Sequence, residues 1–205
     1  MGTFRQMESS YWLNPFEWIR HFDSGYCHPV KKVMIIGNAG GGKSTLSNVF
    51  GEVLGIPVYS IDRMQINPGW IETEVSEFIQ RHDAVLERDS WIIDGLGPID
   101  TVQKRIQSAE MIIFIDFPLY AHFSWTFKRL IINTVYRRPY LVANCPQWSR
   151  IPIMVRDMLM VNREWIPRIR EWLDQESGNH ELHVFHSRHE YLKFLKRMKE
   201  KTYPK

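Results

Sequence analysis

Short apolar runs alternate along the chain with longer stretches in which apolar residues recur every three or four positions. Apolar runs of four or five residues are typical of strands that a parallel sheet buries on both faces. They predict strands at residues 33–36, 57–60, 91–93, 111–115 and 181–185. The other stretches predict helices that begin near Lys43 and that cover residues 72–88, 100–108, 119–135, 153–173 and 190–199. Together they predict an α/β fold with a five-stranded, doubly wound parallel sheet and helices on both faces.

The length and composition indicate one domain with an extension before it. The chain has 205 residues, of which 44% are hydrophobic, and no linker or repeat divides it after the first strand. Residues 1–29 are rich in aromatic side chains, and we expect them to pack on a domain formed by residues 30–205. The helix from residue 119 and the Pro- and Arg-containing stretch up to residue 150 would form a small helical lid.

Charge and cysteine content narrow the class of protein. The net charge of +3 is mild, and no block of like charges indicates a nucleic-acid-binding tail. The two cysteines, Cys27 and Cys145, have no metal-binding spacing and are too few for a disulfide framework. No apolar stretch approaches the ~20 residues that span a bilayer. We therefore expect a cytoplasmic protein without a membrane segment; its oligomeric state does not follow from the sequence.

A glycine-rich loop follows the first predicted strand. Residues 37–44 match the P-loop pattern G-x-x-x-x-G-K-[ST] without a gap. A strand before such a loop and a helix after it allow its backbone N–H groups to surround phosphate oxygens. We therefore expect the loop to bind ATP with Mg²⁺. The expected cofactor-binding residues are Gly37, Asn38, Ala39, Gly40, Gly41, Gly42, Lys43, Ser44 and Thr45.

The last three residues of this loop, Lys43, Ser44 and Thr45, have expected contacts of their own. Lys43 would neutralise charge on the β- and γ-phosphates as the bond breaks, and the Ser44 hydroxyl would bind Mg²⁺. Thr45 would contact the α-phosphate. These roles make Lys43 a candidate catalytic residue.

Two further predicted strands end in an aspartate. Asp94 is followed by Gly95, which permits a sharp turn beside the phosphates, and Asp116 is followed by Phe117-Pro118. Ligands of open α/β sheets bind at the carboxyl ends of the strands, so either carboxylate is a candidate Mg²⁺ ligand. Each aspartate is alternatively a cap of the helix that follows. The Asp-Gly sequence favours Asp94.

The acceptor side and the lid carry the remaining candidates. Asp62 follows the second strand and would orient or deprotonate an acceptor hydroxyl beside a loop at residues 64–70, although a surface ion pair is the alternative. Arg137 and Arg138 lie in a turn of the predicted lid and would reach the transferring phosphoryl group. Arg188 follows the last strand and would border the adenine, or else lie in an exposed turn.

Taken together, these motifs resemble the P-loop kinases related to adenylate kinase and shikimate kinase, and most closely the bacterial topology modulation proteins. The resemblance covers about residues 31–198 and implies a three-layer P-loop NTPase fold. It also implies that Asp94 lies near Mg²⁺, that Arg105 and Arg138 face the phosphates, and that Arg188 lies by the adenine. The chain departs from the pattern at Trp125, where a lid-helix arginine is common.

The features predict an ATP-dependent phosphotransferase acting on a small-molecule or nucleotide acceptor. Its rate would come from positioning and charge neutralisation. The alternatives are an ATP-binding regulatory protein that contacts nucleic acid or a protein partner, and a slow NTPase without an acceptor. The aromatic extension and Trp125 motivate the regulatory alternative. The sequence does not identify the acceptor.

Overall fold

The computed structural model describes residues 30–135, 151–176 and 178–202. Its strands are β1 (Lys32–Gly37), β2 (Val58–Ser60), β3 (Ile66–Asn67), β4 (Ile71–Glu72), β5 (Trp91–Asp94), β6 (Met111–Ile115) and β7 (Glu181–Phe185). Its helices are α1 (Lys43–Leu54), α2 (Ile61–Gln65), α3 (Val75–Leu86), α4 (Ile99–Ser108), α5 (Leu119–Val135), α6 (Ile151–Met160), α7 (Ile166–Gln175) and α8 (Arg188–Thr202). A π-helical turn, Val161–Trp165, joins α6 to α7. The predictions for residues 1–29, Arg137 and Arg138 lie outside the described residues.

The five predicted strands form one parallel sheet. Its order is β2-β5-β1-β6-β7, so that β1, which precedes the glycine-rich loop, lies in the middle. In the register, Ile35 pairs with Asp94 and with Ile113, which brings the ends of β1, β5 and β6 to the same edge. The predicted α/β sheet is therefore confirmed, and its carboxyl edge gathers the candidate site.

Both faces of the sheet are buried. Along β1, Val33 and Ile35 pack into one apolar cluster with Leu46 and Phe194, whereas Met34 and Ile36 pack into a second cluster on the other face. Each fully buried side chain of this size contributes about 1.5–3 kcal/mol relative to exposure. Alternate strand residues point to opposite faces, so the unbroken apolar run of β1 serves both clusters. The predicted three-layer arrangement is confirmed.

Two regions differ from the predicted elements. Residues 64–70, expected to be a loop, contain the end of α2 and β3, and β3 pairs with β4 as a small antiparallel hairpin. The helix expected at 153–173 is interrupted by the π-helical turn just before Pro167, which lies in the first turn of α7 and has no N–H to donate to the preceding turn.

None of the helices described is both long and apolar enough to cross a bilayer.

Candidate functional site

The glycine-rich loop joins the end of β1 to the start of α1. Gly40 and Gly42 have φ values of 74° and 87°, in the left-handed region that favours glycine. Gly42 is the N-cap of α1 and, as a glycine, has no side chain with which to cap the helix. The first N–H groups of a helix have no partner within it, so this end is suited to bind an anion.

The same glycines allow two helices to pack closely behind the loop. A Cβ atom on Gly40 would overlap the Thr126 hydroxyl oxygen and come within 2.6 Å of the His122 carbonyl oxygen, both on α5. A Cβ on Gly42 would lie 2.7 Å from the Tyr191 hydroxyl oxygen on α8. Real Cβ atoms do not approach other atoms so closely, so glycine is required at both positions by the packing as well as by φ.

Three side chains hold the loop in place by hydrogen bonds. His122 Nδ1 lies 3.0 Å from the Ala39 carbonyl oxygen, and the Tyr191 hydroxyl donates to the Gly42 carbonyl oxygen at 2.9 Å. The Asn38 side chain donates to the Met158 carbonyl oxygen at 2.9 Å and accepts from the Ala39 N–H at 2.8 Å. The side chain of Asn38, expected to bind cofactor, therefore anchors the loop to α6.

The buried imidazole of His122 is neutral. Burial, and then the charge of Lys43, lower the pKa of His122 to about 4, so the ring is uncharged at neutral pH. A neutral ring that lies against a carbonyl oxygen donates from the nitrogen that faces it, so Nδ1 carries the proton. Neither His122 nor Thr126 was identified from the sequence. His122, for example, contacts Ala39 of the loop although the two residues are 83 positions apart in the chain, and no local pattern indicates such a contact.

Lys43 and Asp94 form the charged centre of the site. The Lys43 Nζ donates to the Asn38 carbonyl oxygen at 3.0 Å. Burial lowers the pKa of Lys43, while the nearby charges of Asp94 and then Asp62 oppose that shift. The Lys43 amine is therefore partly desolvated, and in its protonated form its electrostatic attraction to a phosphate would be stronger than in water.

Asp94 ends β5 and is 3% exposed. Burial raises its pKa, against the opposing effects of Lys43 and of a hydrogen bond from Ser44. Oδ2 also accepts from the Ser47 hydroxyl at 3.5 Å, whereas Oδ1 has no hydrogen-bond partner among the described residues. A buried carboxylate oxygen without a partner is costly unless a ligand satisfies it. Asp94 and Ser44 therefore fit a Mg²⁺ site, since Mg²⁺ prefers oxygen ligands.

Asp116 has different partners. Both of its carboxylate oxygens accept from the Arg170 guanidinium, with the nearest contacts at 2.8 Å, and His186 Nδ1 lies 3.6 Å away. A bidentate arginine occupies one side of the carboxylate and fixes its orientation. In the structure Asp116 therefore ties the end of β6 to α7, and its expected role as a metal ligand stays a prediction.

Arg105 is also placed differently from the expectation. It is fully buried, and its guanidinium donates to the carbonyl oxygens of Gly95, Leu96 and Thr101. Burial lowers the pKa of Arg105 to about 9. With its donors directed to the chain that follows β5, Arg105 is not among the described residues that line the cleft, and its expected role at the phosphates stays a prediction. It holds the turn after Asp94 in shape.

A cleft of about 1050 Å³ opens from the loop to the acceptor side. Asp62 lies exposed in the first turn of α2, as expected for a residue that contacts an acceptor, and it lines this cleft. At the other end the Arg188 guanidinium lies over the Trp125 ring at 4.5 Å from its centroid. The volume is sufficient for a nucleotide and a second small molecule.

Neither a protein-family model nor a curated relative matches the chain. Solved structures do match over most of its length. Shikimate kinase from Acinetobacter baumannii, in complex with shikimate, is 17% identical with a TM-score of 0.51, covering 83% of this chain and 92% of that one. Deoxyadenosine kinase from M. mycoides is 15% identical, with a TM-score of 0.47 and coverage of 83% and 97%. A gluconokinase from Sinorhizobium meliloti 1021 is 14% identical, with a TM-score of 0.45 and coverage of 85% and 97%. The likeness to shikimate kinase shows that the chain has the P-loop kinase fold.

Proposed function

We propose that the protein transfers the γ-phosphoryl group of ATP to a small hydroxyl-bearing or nucleotide acceptor. The observation that carries the proposal is the pairing, in one cleft, of an anchored phosphate loop with the Lys43 cation and the unsatisfied Asp94 carboxylate oxygen. The resemblance to P-loop kinases and topology modulation proteins supports ATP as the donor.

The donor half of the proposed mechanism uses the loop. Its N–H groups and the N-terminus of α1 would hold the phosphates, and Lys43 would neutralise the charge that develops on the leaving oxygen. Bound Mg²⁺, held by Ser44 and Asp94, would supply further charge neutralisation and orient the phosphates. Arg188, lying on Trp125, would border the adenine.

The acceptor half depends on Asp62. An acceptor oxygen attacks the γ-phosphorus, the bond from that phosphorus to the β–γ bridging oxygen breaks, and ADP leaves with the electron pair. Asp62 would accept the proton of the acceptor hydroxyl. Arg137 and Arg138 belong to the proposal as lid cations. Most of the rate would come from holding the reactants in line, since phosphoryl transfer needs little covalent chemistry from the protein.

The test follows the phosphoryl group. The purified full-length protein is incubated with γ-labelled ATP, Mg²⁺ and a panel of hydroxyl-bearing metabolites, nucleosides and nucleoside monophosphates. We expect label in one organic acceptor, and less of it when Mg²⁺ is chelated. Label that appears only as inorganic phosphate across the panel would identify a slow NTPase and reject the transferase.

A further inference from the structure

We propose that the acceptor is a nucleoside, bound by the indoles of Trp70 and Trp165. The proposal rests on the phosphotransferase function above and specifies its acceptor. Both tryptophans line the cleft on what we term the acceptor wall: the cleft-lining residues of α2, the hairpin β3–β4 and the helical run from Ile151 to Trp165. Each indole is brought there by an irregular piece of backbone.

Trp70 lies in the turn of the hairpin, directly after Gly69. Its φ is 64°, and among the described residues it is the one non-glycine with a positive φ. A bulky residue in the left-handed region is strained, and such strain is found most often at ligand-binding positions. Asparagine or glycine would occupy this turn without strain, so the tryptophan is better explained by its side chain, which is partly buried in the cleft.

Trp165 ends the π-helical turn between α6 and α7. π-Helical turns are rare, and they occur frequently at functional sites because they change which side chains face inward. Here Met160, Val161 and Trp165 all line the cleft. Trp165 also packs against the apolar cluster that contains Ile61 and Ile166, which holds its ring in place.

The charges of the acceptor wall favour a neutral molecule. Its described charged residues are three carboxylates, Asp62, Glu72 and Asp157, and the guanidinium of Arg63. Asp157 pairs with Arg156 at 3.1 Å, which leaves Asp62 and Glu72 against Arg63, while the cleft-lining cations Lys128 and Arg129 lie on α5, outside this wall. An acceptor that carries its own phosphate would meet a net negative wall, which disfavours binding. Indole faces suit a flat aromatic ring, because ring stacking is favourable for every nucleobase. A sugar acid has no ring of this kind, whereas a nucleoside combines a planar base with hydroxyl groups.

The transfer would be to a hydroxyl group of the nucleoside's sugar. The hydroxyl oxygen forms a bond to the γ-phosphorus as the bond to the bridging oxygen breaks. ADP leaves with the electron pair, and the hydroxyl proton passes to Asp62. The products are ADP and a nucleoside monophosphate.

The first experiment uses the full chain with γ-labelled ATP and Mg²⁺. Adenosine, guanosine, cytidine and thymidine are compared with gluconate and shikimate, which have no aromatic ring, and with AMP and CMP, which are charged. We expect label in a nucleoside monophosphate. Label in gluconate, shikimate or a nucleoside diphosphate would overturn the nucleoside acceptor and leave the phosphotransferase intact. Label only in inorganic phosphate would overturn both.

The second experiment tests whether the indoles of Trp70 and Trp165 bind the nucleoside. Trp70→Ala and Trp165→Ala should each raise the KM for the nucleoside about tenfold, with the KM for ATP unchanged, because base stacking is removed while the donor loop is untouched. Trp70→Phe should restore most of the binding. Trp172→Ala is the control, since Trp172 packs against the same apolar cluster as Trp165 but stacks under Arg168 and does not line the cleft. An equal rise in both KM values, or a normal nucleoside KM in both variants, would reject the assignment.

Discussion

The donor loop, residues 37–45, and the acceptor wall differ in how the protein supports them. Behind the donor loop, α5, α6 and α8 each supply a hydrogen bond to its backbone or to Asn38. The acceptor wall includes a five-residue helix and a hairpin of two-residue strands, and its turn glycine, Gly69, has open space around it. The donor loop is therefore fixed by packing against neighbouring helices, whereas the hairpin of the acceptor wall is exposed at its turn.

This difference matches the proposed chemistry. The phosphates of ATP are the same for every acceptor, so the loop that holds them gains from a single rigid geometry. The acceptor must be recognised by shape, and short surface elements tolerate changes of sequence that a packed loop does not. Substitutions in the donor loop should therefore affect catalysis and folding together, whereas those in the acceptor wall should affect acceptor use more than folding.

The largest effect is expected for Lys43→Ala. Because Lys43 would neutralise the transferring group, its removal should lower kcat by about a thousandfold. Phosphoryl transfer from γ-labelled ATP measures the loss. Lys196→Ala, which removes an exposed lysine paired with Glu200 on α8, is the control and should have normal kcat. Near-normal turnover in the Lys43 variant would reject the role of the donor loop.

The sequence predicts the donor loop better than the acceptor wall for physical reasons. The loop is specified by a local pattern, and the strands predicted at residues 111–115 and 181–185 have the bounds expected in β6 and β7. β3 and β4 have two residues each, too few to show a period. The π-helical turn depends on one proline. The partners of Asp116 and Arg105 depend on contacts between distant segments, which no local pattern contains.

A matched pair of glycines tests the contrast in packing directly. Gly40 and Gly69 both have left-handed φ, 74° and 83°, but only Gly40 has atoms where a Cβ would be placed. Gly69→Ala should cost about 1 kcal/mol, from backbone strain alone. Gly40→Ala should cost about 3 kcal/mol, because overpacking against Thr126 and His122 adds to the strain. Chemical denaturation measures both, and equal costs would show that the donor loop yields as easily as the turn.

Acid should weaken the support of the donor loop through His122. Its pKa of about 4 in the folded protein lies below the ordinary value near 6.5, so the unfolded chain binds the proton more tightly. The stability contributed by neutral His122 is complete above pH 6.5 and is lost as the pH falls to about 4. The loss amounts to about 3 kcal/mol. Urea unfolding across this range should show a shallower pH dependence for His122→Gln; an unchanged dependence would contradict the assignment.

Asp62→Asn tests the acceptor side of the comparison. The amide cannot accept the acceptor proton, so kcat should fall about a hundredfold while the KM for ATP stays unchanged. Asp100→Asn is the control, since Asp100 is likewise an exposed aspartate in the first turn of a helix. Steady-state kinetics with ATP varied at saturating acceptor give kcat and the KM for ATP separately. Loss of ATP binding in the Asp62 variant would show that Asp62 belongs to the donor half.

The smallest effect is expected for Asp116→Asn, and it distinguishes the two strand-end aspartates. Arg170 is 55% exposed, so losing its pairing with Asp116 should cost about 1 kcal/mol of stability. Mg²⁺-dependent ATP binding, measured by calorimetry, should be unchanged. Asp94→Asn should abolish that Mg²⁺ dependence, because Asp94 Oδ1 is a buried carboxylate oxygen without a hydrogen-bond partner among the described residues. If Asp116→Asn abolished the Mg²⁺ dependence of ATP binding instead, the metal would be bound at the end of β6. The donor site would then include the region where Asp116 contacts α7.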